Sequence, residues 1–305
     1  MRNAFSDALV RLATADPRVL LLTGDHGYAL FDAFRKRCPG QYVNAGIAEQ
    51  NMVGMAAGLA RTGFRPFVYG LSAFVPIRVL EQIKLDVAHD GLPVVLVGDG
   101  AGFVYSHLGT SHQSTEDIAA TRAIAGLQIL SPADRFELTA CMEAAHAAAG
   151  PVYLRMGKSD RGDVHSAALP ALRPGRLLPV RGGVGAPLAL IATGSMVSTA
   201  VKLAPDFPGC AVWSAPFVKP LDALQVADIA RGGGRLVVLE EHSTLGGLGA
   251  AVAEITSEHA PVRLLRVGVQ DRYSEHCGTY DYLLKEHGLD LDAVRERLRA
   301  FLGRA

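Results

Sequence analysis

The chain is poor in the features that would place it outside ordinary globular proteins. Its 305 residues contain four cysteines, Cys38, Cys141, Cys210 and Cys277, spread far apart with no CxxC pair. That spacing excludes a disulfide framework and suits a reduced, cytoplasmic setting. Lys plus Arg equals Asp plus Glu at 30 each, so the formal net charge is zero. No global basic field draws the chain to nucleic acid. No apolar run reaches the roughly 18 residues of a membrane span. The first 22 residues read as an amphipathic helix and a short apolar strand, not as a secretory signal. Asparagine is scarce as well: only Asn3, Asn44 and Asn51 occur.

What is present is an alternation of short apolar runs and helical patterns. Phe5, Leu9, Leu12 and Ala13 share a helical face ahead of a strand at Val19–Leu22. Strands follow near Tyr42–Val43, Pro66–Tyr69, Pro93–Val97, Gln128–Leu130 and Val152–Met156. The intervening segments predict helices over Glu49–Arg61, Phe74–His89 and from Ser131-Pro132 to about Ala149, with Ser131 as cap and Pro132 in the first turn. A stretch with Asp160-Arg161-Gly162-Asp163 and several prolines loses the rhythm. The alternation then resumes with strands at Leu188–Ala192, Ala211–Trp213, Arg235–Leu239 and Arg263–Val267 and helices between and after them. The expected fold class is α/β, two doubly wound domains with mostly parallel sheets, over residues 1–160 and 187–305, joined by a linker at 161–186. Such a fold hosts many activities and assigns none of them.

The chemically informative segment is Gly46-Ile47-Ala48-Glu49-Gln50-Asn51 and its continuation to Gly58. Glu49 stands at a strand-to-helix junction among small and apolar residues. A carboxylate in so dry a place has a raised pKa unless it is paired, which suits it to share a proton with a ring nitrogen. The other reading is an acidic residue that favours a helix start. Gly54 and Gly58 are four apart on one helical face and allow another backbone to approach closely.

Gly46 to Gly58 resembles the G-I-x-E-Q-x-x-x-x-x-A-x-G signature of the transketolase superfamily's pyrimidine-binding domain. The resemblance implies that Glu49 hydrogen-bonds the aminopyrimidine ring of thiamine diphosphate and favours the tautomer that activates the cofactor. Further pieces agree along most of the chain. Ser72-Ala73-Phe74, then Arg78 and Glu81-Gln82-Ile83, are similar to a family segment whose aromatic packs on the pyrimidine. This makes Phe74 the cofactor aromatic or a core residue, and Arg78 a cofactor or subunit contact. Gly109-Thr110-Ser111-His112-Gln113, followed by Glu116-Asp117-Ile118, resembles G-P-[ST]-H-Q and implies that His112 assists proton transfers on the substrate. Pro151 to Lys158 resembles G-P-V-Y-x-R-x-G-[RK], which makes Arg155 either a ligand for a substrate phosphate or an arginine ending a strand. By family position Asp25 belongs near the cofactor; the family's sugar-contacting histidine on an earlier loop has no counterpart, and His26 and His107 are the candidates to replace it at the substrate. The pieces Ile191–Ser195, Lys219–Asp222, Glu240-Glu241-His242 and Gly246–Gly249 resemble the family's C-terminal domain and carry no catalytic motif.

Complete enzymes of this family also have a diphosphate-binding domain, marked by G-D-G and a later Asn that together hold Mg²⁺. Gly98-Asp99-Gly100 supplies the first half of that mark, but no asparagine follows it. No metal ligand is expected in this chain. The resemblance therefore implies the C-terminal half of a split transketolase. A partner chain would bring the N-terminal half, most diphosphate contacts and the Mg²⁺, in a heterotetramer built on a dimer of this chain. The expected reaction moves a two-carbon ketol unit from a ketose, phosphorylated by expectation, to an aldehyde. Leu108 stands where the family has an aspartate that contacts a sugar hydroxyl, so the donor stays open. The alternatives are the beta subunit of a 2-oxo-acid dehydrogenase, a specialised carboligase, and a noncatalytic scaffold or regulatory subunit.

Overall fold

The computed structural model describes residues 1–158 and 161–303; Asp160 of the expected linker run lies outside them. Twelve strands are described, β1 Val19–Thr23, β2 Tyr42–Asn44, β3 Arg65–Leu71, β4 Val95–Asp99, β5 Gln128–Leu130, β6 Val152–Met156, β7 Leu178–Arg181, β8 Leu188–Ala192, β9 Cys210–Ser214, β10 Phe217–Lys219, β11 Arg235–Ser243 and β12 Arg263–Val269. They form a seven-stranded sheet of order β10-β5-β6-β4-β3-β1-β2 and a five-stranded sheet of order β12-β11-β8-β9-β7. All neighbours are parallel except β10 with β5 and β7 with β9, so each sheet ends in an antiparallel edge strand. Central strands such as β1, β4, β6 and β8 are buried along their whole length. Continuous apolar runs belong there because helices cover both faces.

Two features differ from the sequence expectation. The stretch 161–186 contributes β7, which closes an edge of the second sheet. Strand β10 comes from the second half of the chain and joins the first sheet. The two halves are thus stitched by backbone hydrogen bonds, reinforced where Ser131 N donates to Pro216 O at 2.8 Å.

Helix starts differ too. Ser131 is engaged at that seam, and its carbonyl accepts from the Thr193 hydroxyl at 3.1 Å. The cap of helix Arg135–Ala147 is Asp134, whose carboxylate accepts from Phe136 N and Glu137 N, both at 2.9 Å. The expected Phe74–His89 helix is broken into a tight turn at Ile77–Val79, one turn at Leu80–Gln82 and a wider coil at Ile83–Ala88. Pro76 explains the late start, since it disfavours a helical Val75 and has no N–H to give. Phe74 is left on a loop at the C-terminal end of β3.

Candidate active site

Glu49 opens the helix Glu49–Arg61, which buries Met52, Val53, Ala56, Ala57 and Ala60 against the sheet. That burial fixes the helix start beside the ends of β1 and β2. The loop before it turns at Gly46, with φ +75°, and Gly46 N donates to the Asn44 side chain at 2.9 Å. Gly24, after β1, is needed for the approach of the two loops: a Cβ there would lie 2.7 Å from Gly46 O. The Glu49 side chain ends up 4% exposed at residue level.

The carboxylate is paired. Arg78 Nη1 donates to Glu49 Oε2 at 2.9 Å, and the guanidinium carbon sits 4.0 Å over the Phe74 ring. Phe74 is half-buried, and its ring centroid is 5.3 Å from that of His112 at 67° and 6.2 Å from that of His26. His112 in turn touches the Ser111 hydroxyl through Nδ1 at 2.9 Å. The Nδ1 of His26 is buried and has no partner. Five of the expected residues, Glu49, Arg78, Phe74, His112 and His26, therefore form one chain of contacts although they come from four loops.

The others are placed differently. Asp25 is exposed and accepts from the Tyr28 hydroxyl at 2.5 Å. His107 is exposed on the turn Ser106–Leu108, near the Ser106 hydroxyl at 3.4 Å. Leu108 beside it is 51% exposed. Arg155 does not fit the expected phosphate contact. It is 3% exposed, and its donors go to Asp117 Oδ2 at 2.7 Å, Ser114 O at 3.2 Å and Glu241 O at 2.9 Å. Its Nε and Nη2 bind groups from both halves of the chain, which favours the strand-end reading of this arginine over the phosphate contact.

Arg155 belongs to a sealed polar cluster that the sequence motifs contained without disclosing its role. Tyr153 donates to Asp117 at 2.6 Å. Glu241 accepts from Phe103 N at 2.7 Å and from the Ser195 and Tyr280 hydroxyls. His242 receives Ala119 N–H on Nε2 at 3.2 Å and faces Ser243 O through Nδ1 at 2.8 Å, which fixes one neutral tautomer. Burial pushes this imidazole down to about 4. Burial also pushes Glu240 up to about 7, against the pull of Leu248 N and Gly249 N, which it accepts at 2.7 and 2.8 Å.

Asp99 of the G-D-G run lies at the end of β4, buried, and accepts from Tyr69 at 2.7 Å and Tyr105 at 3.3 Å. Gly100 has φ +81°, and a Cβ there would collide with the Tyr105 ring at 2.0 Å, so the second glycine serves the turn. Among the described residues no group of three or more His, Cys, Asp or Glu is arranged to hold a metal ion. No helix among them is long and apolar enough to cross a membrane.

The fold and site define a two-domain α/β protein whose first sheet carries an acid–aromatic–histidine cluster at its loop ends. Residues 1–162 match the transketolase pyrimidine binding domain and residues 180–294 the transketolase C-terminal domain. The chain belongs to the transketolase family, as a transketolase-type subunit of the split kind. It is 35% identical to a 6-deoxy-6-sulfo-D-fructose transketolase subunit of Clostridium sp. (strain MSTE9), over 98% of this chain and 92% of that one. It is 33% identical to an apulose-4-phosphate transketolase subunit of Phocaeicola vulgatus, over 96% and 94%. A solved split-gene transketolase, described as an inactive beta4 tetramer, superposes with TM-score 0.89 at 33% identity, covering 99% of this chain and 97% of that one.

Proposed function

We propose that this chain and an N-terminal-half partner together form a thiamine diphosphate enzyme that transfers a two-carbon ketol unit from a ketose to an aldehyde. The observation that carries the reading is the buried Glu49 carboxylate, aligned by Arg78 next to the Phe74 ring and within one ring contact of His112. The residues fit the pyrimidine end of the cofactor: a dry carboxylate for a ring nitrogen and an aromatic face beside it. Thiamine diphosphate, when bound, supplies a nucleophilic carbon and an electron sink for carbon–carbon cleavage.

The rest is the work of this chain's own groups. Glu49 holds the shared proton at the pyrimidine nitrogen. Arg78 keeps that carboxylate oriented, and Phe74 sets the plane of the ring. His112 moves a proton at the oxygen of the reacting substrate carbon. In this reading Asp25 would contact the cofactor, and His26 and His107 would contact the substrate. Mg²⁺ and the diphosphate belong mainly to the partner. The two relatives act, by name, on ketoses with a sulfonate or a phosphate, which supports a donor with an anionic end. The burial of Arg155 and its bonds to Asp117, Ser114 and Glu241 favour another residue as the cation for that end.

The open face of helix Glu49–Arg61 supports assembly. Ile47, just before the helix, is 74% exposed, and apart from adjacent residues and the helix's own backbone no heavy atom lies within 4 Å of a Cβ built at Gly54 or Gly58. The backbone approach those glycines allow is left for another chain, in a heterotetramer by our reading.

The test is calorimetric titration of thiamine diphosphate with Mg²⁺ into this chain alone and into its mixture with the partner, followed by a donor screen. Tight binding to the mixture only, with glycolaldehyde-unit transfer, is the expected result. Decarboxylation of a 2-oxo acid without ketol transfer, or cofactor binding without any turnover, overturns the reading.

A further inference from the structure

The loop that carries His112 is held by the second half of the chain. Gly102 and Ser114 close its base, pairing antiparallel at 2.8 and 2.9 Å. Next to that base, Ser274 Oγ donates to Gln113 Oε1 at 2.9 Å and lies 2.9 Å from His287 Nε2. His287 is buried and stacks on Phe103, at the other end of the loop, with centroids 4.8 Å apart at 20°. The same C-terminal segment meets the loop a second time: Cys277 Sγ is 3.1 Å from where a Cβ at Gly109 would stand, and Gly109 has φ +77°. Gln113 Nε2 and His287 Nδ1 are buried without partners. A polar chain that is left partly unsatisfied costs stability relative to an apolar one. Its orientation of neighbouring groups is the property an apolar filling cannot reproduce.

We propose that Ser274, itself oriented by His287, is a positioning residue for the reaction. It fixes the Gln113 side chain and thereby the setting of the adjacent His112 against Phe74. The C-terminal domain then shapes the transition state without touching the cofactor. The inference rests on the role given above to His112. Since a misplacement of about 1 Å can cost about 100-fold in rate, a single lost hydrogen bond at the residue next to the histidine has a measurable effect.

The experiment uses the enzyme reconstituted with its partner. Ser274→Ala is expected to lower kcat for ketol transfer about 10- to 100-fold, with donor KM and cofactor affinity within about 2-fold. Exchange of the cofactor's thiazolium proton, which depends on Glu49, stays at its wild-type rate. Ser274→Thr keeps the hydroxyl and restores kcat to within about 3-fold. In the chain alone, amide hydrogen exchange over residues 109–113 speeds up in Ser274→Ala, which reports on the loop independently of turnover. His112→Ala separates the two readings. If His112→Ala leaves kcat unchanged, the role of His112 falls and the inference with it. If His112→Ala is impaired while Ser274→Ala is not, or Thr fails to rescue, or thiazolium exchange falls in parallel, the positioning inference alone is overturned.

Discussion

Two arginine–carboxylate pairs in this molecule have similar chemistry and opposite surroundings. Arg78 and Glu49 meet at 2.9 Å with the arginine side chain 46% exposed and the carboxylate 5%. Arg155 and Asp117 meet at 2.7 Å with exposures of 3% and 0%. The first pair is half-open, flanked by a half-buried aromatic ring and two histidines. The second is buried, and carbonyls from both halves of the chain accept from Nη2 of the guanidinium. The first is the more accessible of the two, and it is the pair to which we assign the cofactor. Burial, more than residue type, therefore separates the pair we propose to work from the one we read as structural.

The sharpest way to break that comparison is to neutralise each carboxylate or cation in turn. Glu49→Gln in the reconstituted enzyme is expected to cut kcat about 10³-fold, the scale of a lost acid–base group, with the thermal midpoint within a few degrees of wild type. Steady-state ketol transfer and calorimetry check it; a fall of less than about 10-fold sinks the assignment of Glu49. Arg155→Ala should do the reverse. Leaving Asp117 charged and unpaired in the interior is expected to cost about 3–5 kcal/mol in urea unfolding. A loss below about 1 kcal/mol would place Arg155 among the weak surface pairs and reopen a substrate role for it.

The difference between the pairs was only half legible in the sequence. Glu49, Phe74, Arg78 and His112 sit in compact motifs; the first three follow closely on strand ends, which a parallel sheet gathers at one rim, whereas His112 lies in the long loop after β4. Arg155 sits in an equally recognisable motif, but its meaning depends on partners 38 and 86 positions away. No local pattern announces that Asp117 and the Glu241 carbonyl will enclose it. The same applies to β10, three residues whose strand character comes from pairing with β5 of the other half. Asp134 is hidden as a cap because Ser131-Pro132 offers the same local signal three residues earlier, and only the tertiary seam takes Ser131 for another purpose.

Acidity sharpens the comparison further, because the sealed cluster should titrate as part of folding. His242 has its folded-state pKa pushed from 6.5 to about 4, chiefly by burial, with Asp117 Oδ1 at 3.9 Å pulling the other way and Arg155 adding to the fall. Below 6.5 the unfolded chain takes up a proton that the folded chain refuses. The contribution is therefore complete above about 6.5 and is lost as pH falls toward about 4, at up to about 1.4 kcal/mol per pH unit. Urea midpoints measured from about pH 7.5 down to about 4.5 for wild type and His242→Asn check it: Glu240, raised to about 7, works in the opposite sense in both, so the expected signal is the difference between the curves, with wild type losing more than the variant. Parallel curves would mean that the imidazole accepts its proton inside the fold.

The smallest effect concerns the ring between the two histidines, and it asks whether the open cluster is shaped for a ligand or for itself. Phe74 has Arg78 at 4.0 Å over its ring and His112 at its edge, so part of its contact is spent within the chain. Phe74→Leu keeps the volume roughly but removes the flat face, a change of about 1 kcal/mol, or about 5-fold in cofactor Kd. If the ring receives the pyrimidine, the loss appears in the Kd of the assembled enzyme and the thermal midpoint of the chain alone hardly moves. If the ring serves only Arg78, the loss appears instead as lower stability with an unchanged Kd. Either result assigns the aromatic to one side of the comparison, since the same energy is read in binding for an open site and in folding for a closed one.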